Sequence, residues 1–312
     1  MSINRIAVYG HRGWASSAIV DALLASGAPV RVLYRPGSDI SALPVDTDCV
    51  QVDVKDEASL ISALQNIDIV ISLVGHEGVE REHAFVQAIP KTKVRLFSPS
   101  DLAARYDDQG LRIHVNKAKD EVERAAKAAG IPTTVVLIGN FAEFALNTLG
   151  VGVDVEGNRI IYTANSAKEK LNLCTRGYVA AAYVSIFANK PISGLRDRAI
   201  TLTELAPTGE DIAAALEERH KRPPHIFHHS LEKINSEMEN GLRSGSPFTL
   251  SWYCRKIWGT GEQSKMVGKD RWDVWGYKKA TLRELIVDGE LSRYKEFPSV
   301  VNGHFEKSFA QQ

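Results

Sequence analysis

The first half of the chain alternates between two hydrophobic periods. Ile6-Ala7-Val8-Tyr9 is a short apolar run, and Ala18, Ile19, Ala22 and Leu23 then recur at helical spacing up to Gly27. Val30 to Leu33 is the next run, closed by the turn residues Pro36-Gly37-Ser38. "CVQVDV" (49–54), "DIVISLV" (68–74), "VRLFSP" (94–99) and "TTVVLIG" (133–139) read as further strands. Helical patterns lie between them at "EASLISALQ" (57–65), around "HAFVQAI" (83–89) and at "DEVERAAKAAG" (120–130). Strands alternating with helices of this length predict an α/β fold, a Rossmann-type doubly wound parallel sheet covered on both faces.

The pattern loosens after residue 140. "RIIYTA", "LNLCT" and "AITLTE" read as short strands, and "YVAAAYVSIFA" (178–188) and "GEDIAAALEERH" (209–220) as helices. The stretch 240–275 is rich in Gly, Ser and aromatics, and four of the five tryptophans fall between 252 and 275. This divides the chain into a nucleotide domain (1–140) and a smaller substrate-binding region (141–312), with some later elements returning to pack on the sheet.

Composition narrows the classes. Hydrophobic residues at 44% and charged residues at 24% are those of an ordinary globular protein. Lys+Arg and Asp+Glu are both 38, so no net field favours nucleic acid or an anionic membrane. Nowhere do about 18 apolar residues run together, which argues against a spanning helix. Cys49, Cys174 and Cys254 are too far apart for a disulfide framework or a zinc site and suggest a reducing compartment. The N-terminus runs straight into a strand without an apolar signal core, so a cytoplasmic protein is expected.

The candidate chemistry begins at "YGHRGWASS" (9–17), a glycine turn between strand and helix. Such a turn points a helix N-terminus, with its unpaired N–H groups, at a phosphate. Gly10 would make the turn and Gly13 let the backbone approach a pyrophosphate, while Ser16 stands at the third glycine position. His11, Arg12, Trp14 and Ala15 complete the turn; His11 and Trp14 are bulky enough to crowd a pyrophosphate or to stack on it. A purely structural βα turn is the alternative. The end of the second strand, "VLYRPGS", offers Tyr34 and Arg35 rather than Asp or Glu. An arginine there suits a 2′-phosphate, and Arg12 adds a second positive charge, so NADPH is expected over NADH. Val74 and Gly75 end the strand where the middle of a cofactor would lie.

No tyrosine has a lysine four residues on, so the usual proton donor of short-chain dehydrogenases is missing. Lys119 is the candidate in its place: it precedes Val122 by three residues and Ala126 by seven, on the apolar stripe of its helix. Near the sheet's carboxyl end it could meet the nicotinamide ribose or donate a proton, and partial desolvation would lower its pKa and ease that transfer; the alternative is a lysine snorkelling from the first helical turn. "HIFHH" (225–229) lacks a completing carboxylate or cysteine and reads as solvated strand histidines, with no metal expected. The tryptophan-rich stretch either lines an aromatic pocket or anchors a loop-rich subdomain.

Taken together, "GHRGWASSAIVDALLASG", "VRVLYRPGS", "QVDVKDEASLISALQNIDIVISLVG", "VRLFSPSDL", "KAKDEVERAAKAAGIPTTVVLIGNF" and "TRGYVAAAYVSIF" resemble the NmrA-like and isoflavone-reductase-like branch of the atypical short-chain dehydrogenases. The likeness runs from residue 5 to about residue 235, with an echo at "ATLRELI" (280–286). It implies that Arg35 binds the 2′-phosphate of NADPH and that Lys119 is catalytic. Departures from the family pattern are Ser16, the bulky His11 and Trp14, Tyr178 in place of an aspartate, and "FSPSDL" in place of F-x-P-S-E-F. The expectation is an NADPH-dependent reductase of a small aromatic or polyketide-like metabolite, with lysine-assisted protonation and the region after residue 240 closing over the substrate. Alternatives are a nucleotide-sensing regulator with a protein partner, or a non-redox isomerase or cyclase on the same scaffold.

Overall fold

The computed structural model describes residues 4–296 and 299–309. Its central sheet is built from β1 (Ile6–Tyr9), β2 (Val30–Tyr34), β3 (Asp48–Gln51), β4 (Ile69–Ser72) and β5 (Leu96–Ser98), all parallel in the order β3-β2-β1-β4-β5. A bridge between Phe97 and Thr133 joins this sheet to β6 (Thr134–Leu137). Two strands from much later in the chain, β11 (Arg198–Thr201) and β13 (Asp270–Arg271), extend it beyond β6.

The period-2 pattern of β1 explains the layering. Ile6 and Val8 point into one apolar layer, with α1 (Trp14–Ala25) and α6 (Arg176–Tyr183). Ala7 and Tyr9 point into the other, with α2 (Glu57–Ala63), α3 (Glu82–Ala88) and α4 (His114–Ala128). Because both faces are covered, all four residues are buried. Full burial of each large apolar side chain is worth about 1.5–3 kcal/mol.

The remaining elements form a second layer beside the carboxyl ends of these strands. The β7 strand (Asn140–Phe141) pairs with β10 (Leu173–Cys174) and leads into α5 (Ala142–Asn147). A small sheet orders β12 (His225–His229), β9 (Arg159–Thr163) and β8 (Val153–Asp154). Around it lie α7 (Gly209–His220), α8 (Leu231–Ser244), α9 (Thr249–Gly259), α10 (Glu262–Met266) and α11 (Ser299–Ser308). Thr208 and Asp211 form a reciprocal capping box at the start of α7.

Three elements differ from the sequence pattern. The α4 helix begins at His114, not 120, because Val115 and Ala118 continue the buried stripe of Val122 and Ala126 towards its start; Lys119 therefore sits in the second turn. The α6 helix ends in a π-helical turn, Val184–Ala188. Residues 240–275 are largely helical through α9 and α10 rather than loop-rich.

Candidate active site

The switch in strand order between β1 and β4 leaves a crevice at their carboxyl ends, the position where doubly wound sheets bind ligands. A cleft of about 750 Å³ opens there. It brings together Gly10, His11, Arg12, Gly13, Trp14, Ala15, Tyr34, Arg35, Val74, Gly75 and Lys119, residues that the sequence alone singles out.

One end is built from backbone. Gly10 has φ +96°, and a Cβ there would lie 2.8 Å from the Leu73 carbonyl carbon and 2.9 Å from the Val74 nitrogen. Only glycine fits so close to the end of β4. Gly13 caps α1 without any side-chain hydrogen bond, leaving the first-turn N–H groups open towards the cleft. The serine in the third glycine position is accommodated: Ser16 is buried, and its hydroxyl donates to the Gly13 carbonyl at 3.1 Å.

The two bulky turn residues are engaged elsewhere. The His11 ring nitrogen lies 3.1 Å from the Asp39 carbonyl, against the β2–β3 connection. The Trp14 indole packs on Phe141 (5.2 Å between centroids) and Tyr294 (4.6 Å), and its N–H donates to the Arg293 carbonyl at 3.3 Å. Trp14 thus ties the turn to the C-terminal segment.

The rim of this end is basic. Among the described residues neither Arg12 nor Arg35 forms a salt bridge, and both are exposed. Arg81, which no sequence motif marks, lines the same rim. Burial raises the Tyr9 hydroxyl pKa, and the charges of Arg35 and Arg81 oppose the rise.

Lys119 lines the cleft with its side chain nearly buried. Its ammonium donates to the Asp101 carbonyl at 2.7 Å and lies 3.6 Å from Asp101 Oδ1. The Tyr106 hydroxyl donates to the same carboxylate oxygen at 3.0 Å. Burial pushes the Asp101 carboxyl up, against the pull of Lys119 and Tyr106. Crowding in the cleft, with the charges of Lys119 and Lys295, holds the His76 imidazole down to about 4. Asp101 and Ser100 belong to "FSPSDL", a motif that by itself assigns them no role; their place in a strand-end loop beside the switch is the signal that could have found them.

The other end is aromatic. Phe141, Phe144, Phe248, Tyr253, Tyr294 and Phe305 line it, from three stretches of chain far apart in sequence. The four tryptophans between 252 and 275 are absent from this wall, and three of them serve as anchors instead. Trp252 and Trp258 are buried in the packing of the second layer, Trp272 lies against the first, and Trp275 is 97% exposed. The strand histidines are not uniformly solvated: His229 is buried, with a ring nitrogen 3.1 Å from the Ser308 carbonyl. Among the described residues no cluster of His, Cys, Asp or Glu could hold a metal ion.

Fold and cleft together define a Rossmann-type α/β protein with its crevice at the switch point. The chain belongs to the NmrA-like family, whose model matches residues 2–237. It is 31% identical over 160 residues to an isoflavone reductase homolog of Zea mays, covering 47% of this chain and 52% of that protein. The chain thus matches about half the length of this curated relative. A solved isoflavone reductase superposes with a TM-score of 0.76 at 19% identity, covering 92% of this chain and 100% of the other. The binary complex of leucoanthocyanidin reductase and NADPH from Vitis vinifera gives a TM-score of 0.70 at 15% identity, covering 99% and 100%. At such identities these structures share the fold. No described helix is long and apolar enough to cross a membrane.

Proposed function

We propose that this protein is an NADPH-dependent reductase of a small aromatic metabolite, with Lys119 as its proton-handling residue. The observation that carries this reading is that one cleft is lined by the glycine turn, by a set of aromatic rings and by the Lys119 ammonium held on Asp101. The name of the Zea mays relative and the NADPH complex of the structural neighbour support it.

The residues present suit the cofactor. Gly10 leaves a cradle that a Cβ would fill, and the uncapped start of α1 offers N–H groups and a partial positive charge for a pyrophosphate. Arg12 and Arg35 would hold the 2′-phosphate, Arg35 through its planar fork. Val74 and Gly75 would lie along the middle of the nucleotide and Lys119 beside the nicotinamide ribose. When bound, NADPH supplies the hydride. Lys119 holds a proton at Nζ for an oxygen of the substrate, and Asp101 fixes where that proton points. The aromatic wall excludes water and receives a flat apolar ring.

A nucleotide sensor would need no such wall, which favours turnover. The test is NADPH oxidation with a panel of phenolic and benzylic compounds, compared between wild type and Lys119→Ala. A fully active Lys119→Ala enzyme overturns the assigned role. Nucleotide binding without oxidation of any compound would favour the sensor, and conversion without nucleotide the isomerase or cyclase.

A further inference from the structure

A second carboxyl lies beneath the cleft, fully buried at the start of α3. Glu82 is 0% exposed, and all its hydrogen-bond donors come from the two strand ends that frame the crevice. The Ser72 hydroxyl, on the last residue of β4, donates to Glu82 Oε1 at 2.9 Å. The Ser100 backbone N–H, just past β5, donates to both carboxyl oxygens at 3.2 Å. The Ser100 hydroxyl in turn donates to the Val74 carbonyl at 2.7 Å. Glu82 and Ser100 therefore lace the carboxyl end of β4 to the loop that follows β5.

That loop is the one that holds Lys119. The residue after Ser100 is Asp101, whose carbonyl and carboxylate receive the ammonium. The next, Leu102, has φ +55°, a left-handed conformation that a leucine adopts only when its surroundings impose it. A buried polar group is costly unless it is hydrogen-bonded, so a fully buried glutamate on the apolar stripe of α3 calls for a purpose beyond packing.

We infer that Glu82 is a positioning residue: through Ser100 it fixes the Asp101 loop, and through that loop the Lys119 ammonium in the cleft. This rests on the reductase reading for its catalytic consequence but not for its geometry. Burial also raises the carboxyl of Glu82 to about 8, although Ser72, Ser100 and Lys119 act to lower it. Oε1 alone accepts from both Ser72 and Ser100, so a glutamine of the same shape, which keeps that oxygen, can replace the carboxyl.

The experiment compares Glu82→Leu, Glu82→Gln and the milder Ser72→Ala with wild type. It measures kcat, KM, the Kd for NADPH and the rate at which Lys119 is acetylated by trace acetic anhydride, followed by mass spectrometry across pH. In Glu82→Leu, kcat is expected to fall by about tenfold or more while the NADPH Kd stays within about twofold, and Lys119 acetylation to speed up. Glu82→Gln should recover to within about threefold of wild type, and Ser72→Ala to lie between. Wild-type kcat and acetylation in Glu82→Leu would overturn the inference, and so would a Gln variant as impaired as the Leu variant. Should Glu82→Leu not fold, Ser72→Ala and Glu82→Gln decide alone: acetylation unchanged in Ser72→Ala overturns it. If wild type turns over no substrate, the reductase reading fails, and the acetylation profiles still judge the role of Glu82.

Discussion

The two ends of the cleft are made of different material. At the glycine-turn end the contacts are backbone: a left-handed Gly10 against the end of β4, and the open first turn of α1. These come from residues close in sequence, and the main chain sets their geometry. The aromatic wall is made of side chains instead, rings from the stretches 141–144, 248–253 and 294–305, against which Trp14 of the turn packs. Backbone sites recognise a common group such as a phosphate and tolerate little change; side-chain walls are easily re-cut for a new ligand. Lys119, held by Asp101, lines the same cleft.

The largest effect is expected at that lysine. Lys119→Ala should lower kcat by about 10²–10⁴-fold while leaving the NADPH Kd nearly unchanged, since proton transfer is lost and the phosphate contacts are not. A loss of nucleotide affinity as large as the loss of kcat would dissolve the distinction between the two ends. Gly10→Val puts a branched Cβ 2.8 Å from the Leu73 carbonyl carbon and strains a positive φ, at a cost of at least about 1–3 kcal/mol. Thermal melting should register that cost, and calorimetry an NADPH affinity weakened by more than about tenfold.

Arg35→Ala should weaken NADPH by about 10- to 100-fold, the worth of a charge-assisted hydrogen bond, and leave NADH alone. Equal weakening of both nucleotides would place Arg35 away from the 2′-phosphate. Beneath the crevice, Glu82 links pH to stability. Unfolded, its carboxyl loses its proton near the ordinary value of 4.5; folded, it keeps it to about 8. The folded chain holds the extra proton in that window, so stability falls as pH rises through it, by up to about 1.4 kcal/mol per pH unit. Glu82→Gln has no proton to lose, and its melting temperature should gain on wild type between about pH 6 and pH 7. A constant difference would mean that the carboxyl ionises normally. Phe144→Ala acts on the aromatic wall and leaves the glycine turn in place. It removes a ring 5.8 Å from Tyr294, worth about 0.5–1.5 kcal/mol, and should raise substrate KM a few-fold with no change for NADPH.

The same contrast decides how much of the molecule is legible in its amino-acid sequence. The turn residues 10–15, Arg35 and Gly75 follow short apolar runs, and a local pattern locates them. The run from Asp120 misses the first six residues of α4, where Val115 and Ala118 carry the stripe of Val122 and Ala126 further back between polar neighbours. Lys119 stands out through its spacing from Val122 and Ala126, both buried. Glu82 carries no such signal as a polar residue, although it stands three, four and seven residues before Phe85, Val86 and Ile89, on the buried stripe. The aromatic wall depends on segments about a hundred residues apart, and no local period can bring Phe144 to Tyr294. Four clustered tryptophans draw attention to the wrong aromatics for that reason.

The measurement that bears most directly on this account is a calorimetric titration of the nucleotide-stripped protein with NADPH, repeated with NADH and with Arg35→Ala. Micromolar binding of NADPH, weaker binding of NADH and a loss of that preference in Arg35→Ala is the result predicted. No heat of binding from either nucleotide would contradict it and leave the glycine turn without a ligand.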